Sequence, residues 1–118
     1  MATGYSVRTM VMMASQTTTL DSGWFAVGRL LSPTIVIDTL EAGGVVSIVC
    51  SNLPELNPDG TQATPPDDYY GAPHFILGNV TSPIAAGLGG AFTWIRARYT
   101  QGPSPTGVNI YMQSQQAK

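Results

Sequence analysis

His74 and Cys50 are the single histidine and the single cysteine of this 118-residue sequence. With no second imidazole, a multi-histidine metal site cannot be assembled from this chain. His74 opens the apolar run PHFILGNV, and we read it as a structural residue and not as the base of a Ser-His-acid triad. Cys50 lies within VVSIVCS, with no basic neighbour to favour its thiolate, so it reads as an inert core thiol. One cysteine cannot form an internal disulfide, which leaves stability to packing or to association with other chains.

The remaining chemical signals are isolated. Asp67 and Asp68 are adjacent in a loop whose carbonyls could add oxygen ligands for calcium, but the regular acidic spacing of an EF-hand is missing. Gly87-Leu88-Gly89-Gly90 lacks the Lys-Ser/Thr that follows a phosphate loop, and no helix signal comes after it. Asn79-Val80-Thr81 matches a glycosylation sequon without any other sign of a secretory route. No spacing of carboxylates singles out a glycosidase pair. These residues imply no catalytic site, no cofactor and no metal.

Composition narrows the class of partner. Five Lys and Arg against seven Asp and Glu give a net charge of −2, and charged residues make up 10% of the chain, against about 25% in an ordinary soluble domain. So few cations offer no footprint for a nucleic-acid backbone and no polybasic patch for anionic lipid. No apolar run reaches the length of a membrane span. Met10 to Met13 is a short apolar cluster after Arg8, with no cleavage site beyond it, and does not read as a signal peptide. Neither nucleic acid nor membrane is an expected partner. At 118 residues, with 43% hydrophobics, the chain fits one domain spanning 1–118.

The elements that must position these residues read as strands throughout. No segment carries apolar residues at helical spacing between capping signals. Tyr5 to Ala14 alternates and then becomes continuously apolar; Gly23 to Gly28 is bracketed by glycines; Pro33 to Leu40 is rich in β-branched residues. Glu41-Ala42-Gly43-Gly44 supplies a turn into Val45 to Ser51, so these two segments read as a hairpin. Pro73 to Val80, Phe92 to Thr100 and Gly107 to Gln113 follow. In Phe92 to Thr100, Ile95, Ala97 and Tyr99 form a dry face, while Trp94, Arg96, Arg98 and Thr100 form a solvated one. Val108, Ile110 and Met112 alternate in the same way, and the last two segments are expected to pair with each other. About seven short strands between turn-rich segments describe an all-β sandwich or barrel.

Two stretches are irregular. Ser82 to Ala91 is built of small residues, and 51–73 contains five of the nine prolines with an Asp59-Gly60 turn. A loop of that length is either mobile or ordered by contact, and Tyr69-Tyr70 near its end offers rigid apolar surface with polar tips. The two tyrosines serve equally well as a cover for the end of the sandwich.

The combination of WFAVG, PTIVIDTLEAGGVVSIVCSN and the closing TWIRARYTQG and GVNIYMQ resembles small β-sandwich virion proteins of tailed bacteriophages. Trp94, Ile95, Arg96, Ala97 and Arg98, followed by Gly107, Val108, Asn109 and Ile110, carry the likeness over the latter two-thirds of the chain. The resemblance implies an antiparallel, jelly-roll-like β-sandwich of seven or eight strands with one long Pro-rich loop. A free-standing domain of this size is similar to capsid decoration, or cement, proteins, and the acidic balance suits the outside of a head. That likeness implies a noncatalytic protein that binds the major capsid protein as a dimer or trimer. Expected contacts are Met1, Ala2, Thr3, Gly4 and Tyr5 at the N-terminus and Leu53, Leu56, Tyr69 and Tyr70 in the loop, because a terminus or a long loop can order on a partner. Alternative readings are a tail or fibre component that stacks sugar on Trp24, Tyr69, Tyr70 or Tyr111, and a small cellular carbohydrate-binding module.

Overall fold

The computed structural model describes residues 5–27, 31–51, 53–54, 56–64, 74–88 and 93–117. These residues contain no helix and form nine strands: β1 (Tyr5–Gln16), β2 (Leu20–Asp21), β3 (Phe25–Ala26), β4 (Leu31–Asp38), β5 (Val45–Ser51), β6 (His74–Val80), β7 (Ile84–Gly87), β8 (Trp94–Thr100) and β9 (Val108–Ala117). One sheet has the order β1-β9-β4-β7; the other has the order β2-β8-β5-β6, with β3 also paired to β8. Every pairing is antiparallel. With β2 and β3 counted as one interrupted strand, the chain changes sheet at each step except from β5 to β6, which is the connectivity of a jelly roll.

The core lies between the sheets. Met12, Met13, Ile35, Ile37, Val108, Ile110 and Met112 from one layer meet Val46, Ile48, Cys50, Ile95, Ala97 and Tyr99 from the other. Each fully buried Ile, Val or Met contributes about 1.5–3 kcal/mol of apolar transfer, so this interface is the main source of cohesion.

Two pairings expected from the sequence are replaced. β4 and β5 do not form a hairpin: β4 pairs with β7 and β9, and β5 with β6 and β8. β8 and β9 likewise lie in opposite sheets. In β8 and β9 the inward residues were read correctly, but inward parity is equally served by a neighbour in the same sheet and by one across the core. What decides is the backbone of the connections. In 39–44, Thr39 and Gly43 take positive φ values of 57° and 83°. In 101–107, Pro103 and Pro105 cannot donate to a ladder, and Gly107 has φ 99°. Both connections arch from one layer to the other.

Other boundaries shift locally. β1 carries two bulges, between Val11 and Met13 and between Met13 and Gln16. The first turns consecutive Met12 and Met13 both into the core, which accounts for the continuous apolar run. Within Gly23 to Gly28 the strand is only Phe25–Ala26, while Ile84–Gly87, inside the stretch read as irregular, is a strand at the sheet edge.

Candidate interaction surface

The pairing register places two of the nominated regions at one end of the sandwich. Tyr5 at the start of β1 pairs with Ala117, and Leu31 at the start of β4 pairs with Gln115. The arch 39–44 joins the far end of β4 to the start of β5, so the chain leaves β5 at Ser51 on the same end as Tyr5. Met1 to Gly4, Tyr69 and Tyr70 lie outside the described residues.

The loop after β5 is held at its root by Thr93, a residue that sequence reasoning passed over. The Thr93 hydroxyl donates to the carbonyls of Ser51, at 3.0 Å, and of Leu53. Its N–H donates to Ser51 O at 3.2 Å, and its own carbonyl accepts from Val27 N at 2.8 Å. Leu53 is thereby fixed and half-buried.

Farther out, Leu56 pairs with Gln62 across a tight turn. Asn57 N donates to Thr61 O at 2.8 Å and Gly60 N to Asn57 O at 2.9 Å, with Gly60 at φ 87°. Asn57 Nδ2 donates to Thr61 Oγ1 at 3.0 Å, and the Thr61 hydroxyl donates to Asp59 Oδ1 at 2.6 Å. The Thr61 hydroxyl and N–H hold the Asp59 carboxyl below its usual range. This small hairpin is organised by its own bonds, and it leaves Leu56 45% exposed at its base. The Asp59-Gly60 signal located the turn; the pairing on either side of it had no sequence signature.

The outer face of the second sheet differs from the expected solvated one. Trp94 is 3% exposed and Arg96 7%. The Arg96 guanidinium sits under the Trp24 ring, 4.7 Å from its centroid, and is 3.3 Å from Asp21. Asp21 also accepts from Arg98 at 2.9 Å and 3.2 Å. The segment between β1 and β4 folds back over β8 and removes Arg96 from water, which is the physical reason for the correction. Trp24, a sugar platform in one reading, stacks on Arg96; Tyr111 stands half-buried on the outer face of the other sheet.

At the opposite end, Glu41 is a buried carboxylate, 6% exposed, between the two arches. It accepts from the Tyr99 hydroxyl and from Gly102 N, the latter at 2.9 Å. Burial pushes its carboxyl up, yet the donors at Gly102, Tyr99, its own amide and Thr106 outweigh this and hold it below the ordinary value. Tyr99 is pushed up to about 12 by burial and by its bond to the Glu41 anion. Such a fixed acceptor with donors on several sides is an architectural element, well suited to locking turns together. Cys50 is buried, and burial pushes its thiol up, as its reading as a packing residue requires. Among the described residues no group of three or more His, Cys, Asp or Glu could hold a metal ion, and no helix is long and apolar enough to cross a membrane.

No family model matches the sequence, and no curated protein matches it. Among solved structures, the fold is similar to that of the crystal structure of the SPBc2 prophage-derived protein YomS, with a TM-score of 0.58 and 12% identity. The likeness spans 98% of this chain and 97% of that one, so the two proteins share a sandwich architecture over nearly their whole length.

Proposed function

We propose that this chain is a noncatalytic structural protein of a phage virion, a decoration protein that binds the major capsid protein on the outer surface of the head and reinforces the shell. The observation that carries the reading is the end-to-end fold likeness to a prophage-derived protein. The strand and arginine pattern of 94–110 and the net charge of −2 support it further. The mechanism is mass action: a protein that binds only the assembled lattice stabilises that lattice by its binding free energy. As a homo-oligomer it engages several capsid subunits at once and gains effective concentration from weak individual sites. The contact region is the end of the sandwich that carries Tyr5, Leu53 and Leu56, with the nominated Met1 to Gly4, Tyr69 and Tyr70 contributing the rest.

The test is cosedimentation of the purified protein with heads and, separately, with tails of the phage that encodes it. Saturable binding to heads, weakened at limiting concentration by Tyr69→Ala with Tyr70→Ala or by trimming residues 1–3, is the expected result. Binding to tails alone would replace this reading with that of a tail or fibre component.

A further inference from the structure

The outer face of the β1-β9-β4-β7 sheet forms aligned rows of side chains. The register joins Val11 to Tyr111, Tyr111 to Val36 and Val36 to Ala85, giving one apolar row across all four strands. The adjacent row is Thr9, Gln113, Thr34 and Gly87. Val11 is 52% exposed, and Ala85 is exposed at the other end of its row. Neither row contains a charge, and Asp38 stands at the margin, paired with Asn109. The other outer face, with Asp21, Arg96 and Arg98, is charged.

The edge of this sheet is guarded, unlike its face. Two bulges interrupt β1, and Arg8, which pairs with buried Ser114 and shares the inward parity of Met10, places a charge where an added strand would have to pack. The other edge, β7, is only four residues long, so edge-to-edge growth is disfavoured on both sides, whereas neither row carries a charge that would repel a second sheet laid on it. Taking strands about 4.8 Å apart with a rise of about 3.3 Å per residue, the part of the face that two copies can share, limited by four residues on β7 and eight on β4, is roughly 400 Å² per copy, or about 800 Å² for two, the size of a weak, concentration-dependent contact.

The rows are also self-complementary. Rotation about a two-fold axis parallel to the strands, midway between β4 and β9, sets Val11 against Ala85, Tyr111 against Val36, Thr9 against Gly87 and Gln113 against Thr34 of the second copy. Each larger side chain then meets a smaller one. We propose that two copies of this chain pack face to face through this sheet, around that axis. The inference deepens the homo-oligomer of the proposed function and leaves the capsid-binding end of the sandwich free.

Sedimentation equilibrium of the full chain tests it. A species of twice the 12.4 kDa chain mass is expected, with Val11→Lys and Ala85→Lys each weakening association at least about tenfold while circular dichroism stays unchanged. Both positions are exposed, so neither change disturbs the core. Under mild oxidation, Val11→Cys combined with Ala85→Cys is expected to give a reducible dimer more readily than Val11→Cys alone. A monomer at all concentrations, a dimer indifferent to both lysines, or equal crosslinking by the single variant would overturn the proposal. If the monomer still binds heads and Val11→Lys abolishes that binding, the face belongs to the capsid and not to a second copy; head binding by a lysine-variant monomer shows that the functional reading stands on its own.

Discussion

The Tyr99 hydroxyl donates to the Glu41 carboxylate, 2.8 Å from Oε1 and 2.7 Å from Oε2, and so ties the arch 39–44 to the strand that leads into the arch 101–107. Removing either partner leaves the other buried without its bond. Tyr99→Phe and Glu41→Gln are each expected to lower the unfolding free energy by about 1–3 kcal/mol. The double variant should lose less than the sum, since both changes delete one shared contact. Denaturant unfolding measures all three, and strictly additive losses would mean that the contact contributes nothing.

The same pair sets a pH window. The folded state holds Glu41 below its ordinary 4.5, so its contribution is complete above that value and is lost as pH falls through the lower folded one. Tyr99 is shifted the other way, from 10 to about 12, so its contribution is complete below 10 and is lost as pH rises through about 12. Stability should hold a plateau between these limits. Glu41→Gln is expected to flatten part of the acid limb in urea unfolding at a series of pH values; an acid limb identical to that of the parent protein would contradict the assignment.

Glycine positions distinguish a crowded arch from an open turn. A Cβ on Gly102 would lie 2.6 Å from Ala42 O and 2.7 Å from Gly44 N, both backbone atoms that cannot yield. Gly60 has open space but a φ of 87°. Gly60→Ala is expected to cost about 1 kcal/mol through backbone strain alone. Gly102→Ala should cost about 3 kcal/mol or more through overpacking. Thermal unfolding that finds the two variants equal would show that the arches are not packed backbone to backbone.

Cys50→Ala should fold, lose about 1–2 kcal/mol and retain head binding, because the thiol is buried in the core and held in its neutral form. Slow alkylation of native Cys50, fast only after denaturation, is the companion measurement. Loss of binding by a folded Cys50→Ala protein would assign the thiol a role beyond packing.

The strand class was legible because β-branched residues and two-residue alternation are local properties. Val45–Ser51 matches its expected bounds, and inward Ile95, Ala97 and Tyr99 are buried as their parity requires. Strand partners were not legible. Alternation tells which face is dry but is silent on whether the dry neighbour stands beside the strand or across the core, so both inter-sheet arches read as hairpins. Glu41, which bonds Tyr99 and Gly102 and so ties the two arches together, looks in sequence like any acidic turn residue. Arg96 was assigned to solvent because its cover, Trp24 and Asp21, is distant in the chain. At the candidate contact surface, Leu56 and the Asp59-Gly60 turn were visible as residue types, whereas the Thr93 bonds that root the loop depend on a strand brought alongside by the fold.

Reinforcement of the shell is the central claim, and the most direct measurement is the temperature at which heads lacking this protein release their DNA, followed by dye fluorescence with and without the added chain. The release temperature is expected to rise with bound protein and level off at saturation. An unchanged release temperature at full occupancy, or no bound protein at any concentration, would contradict the account.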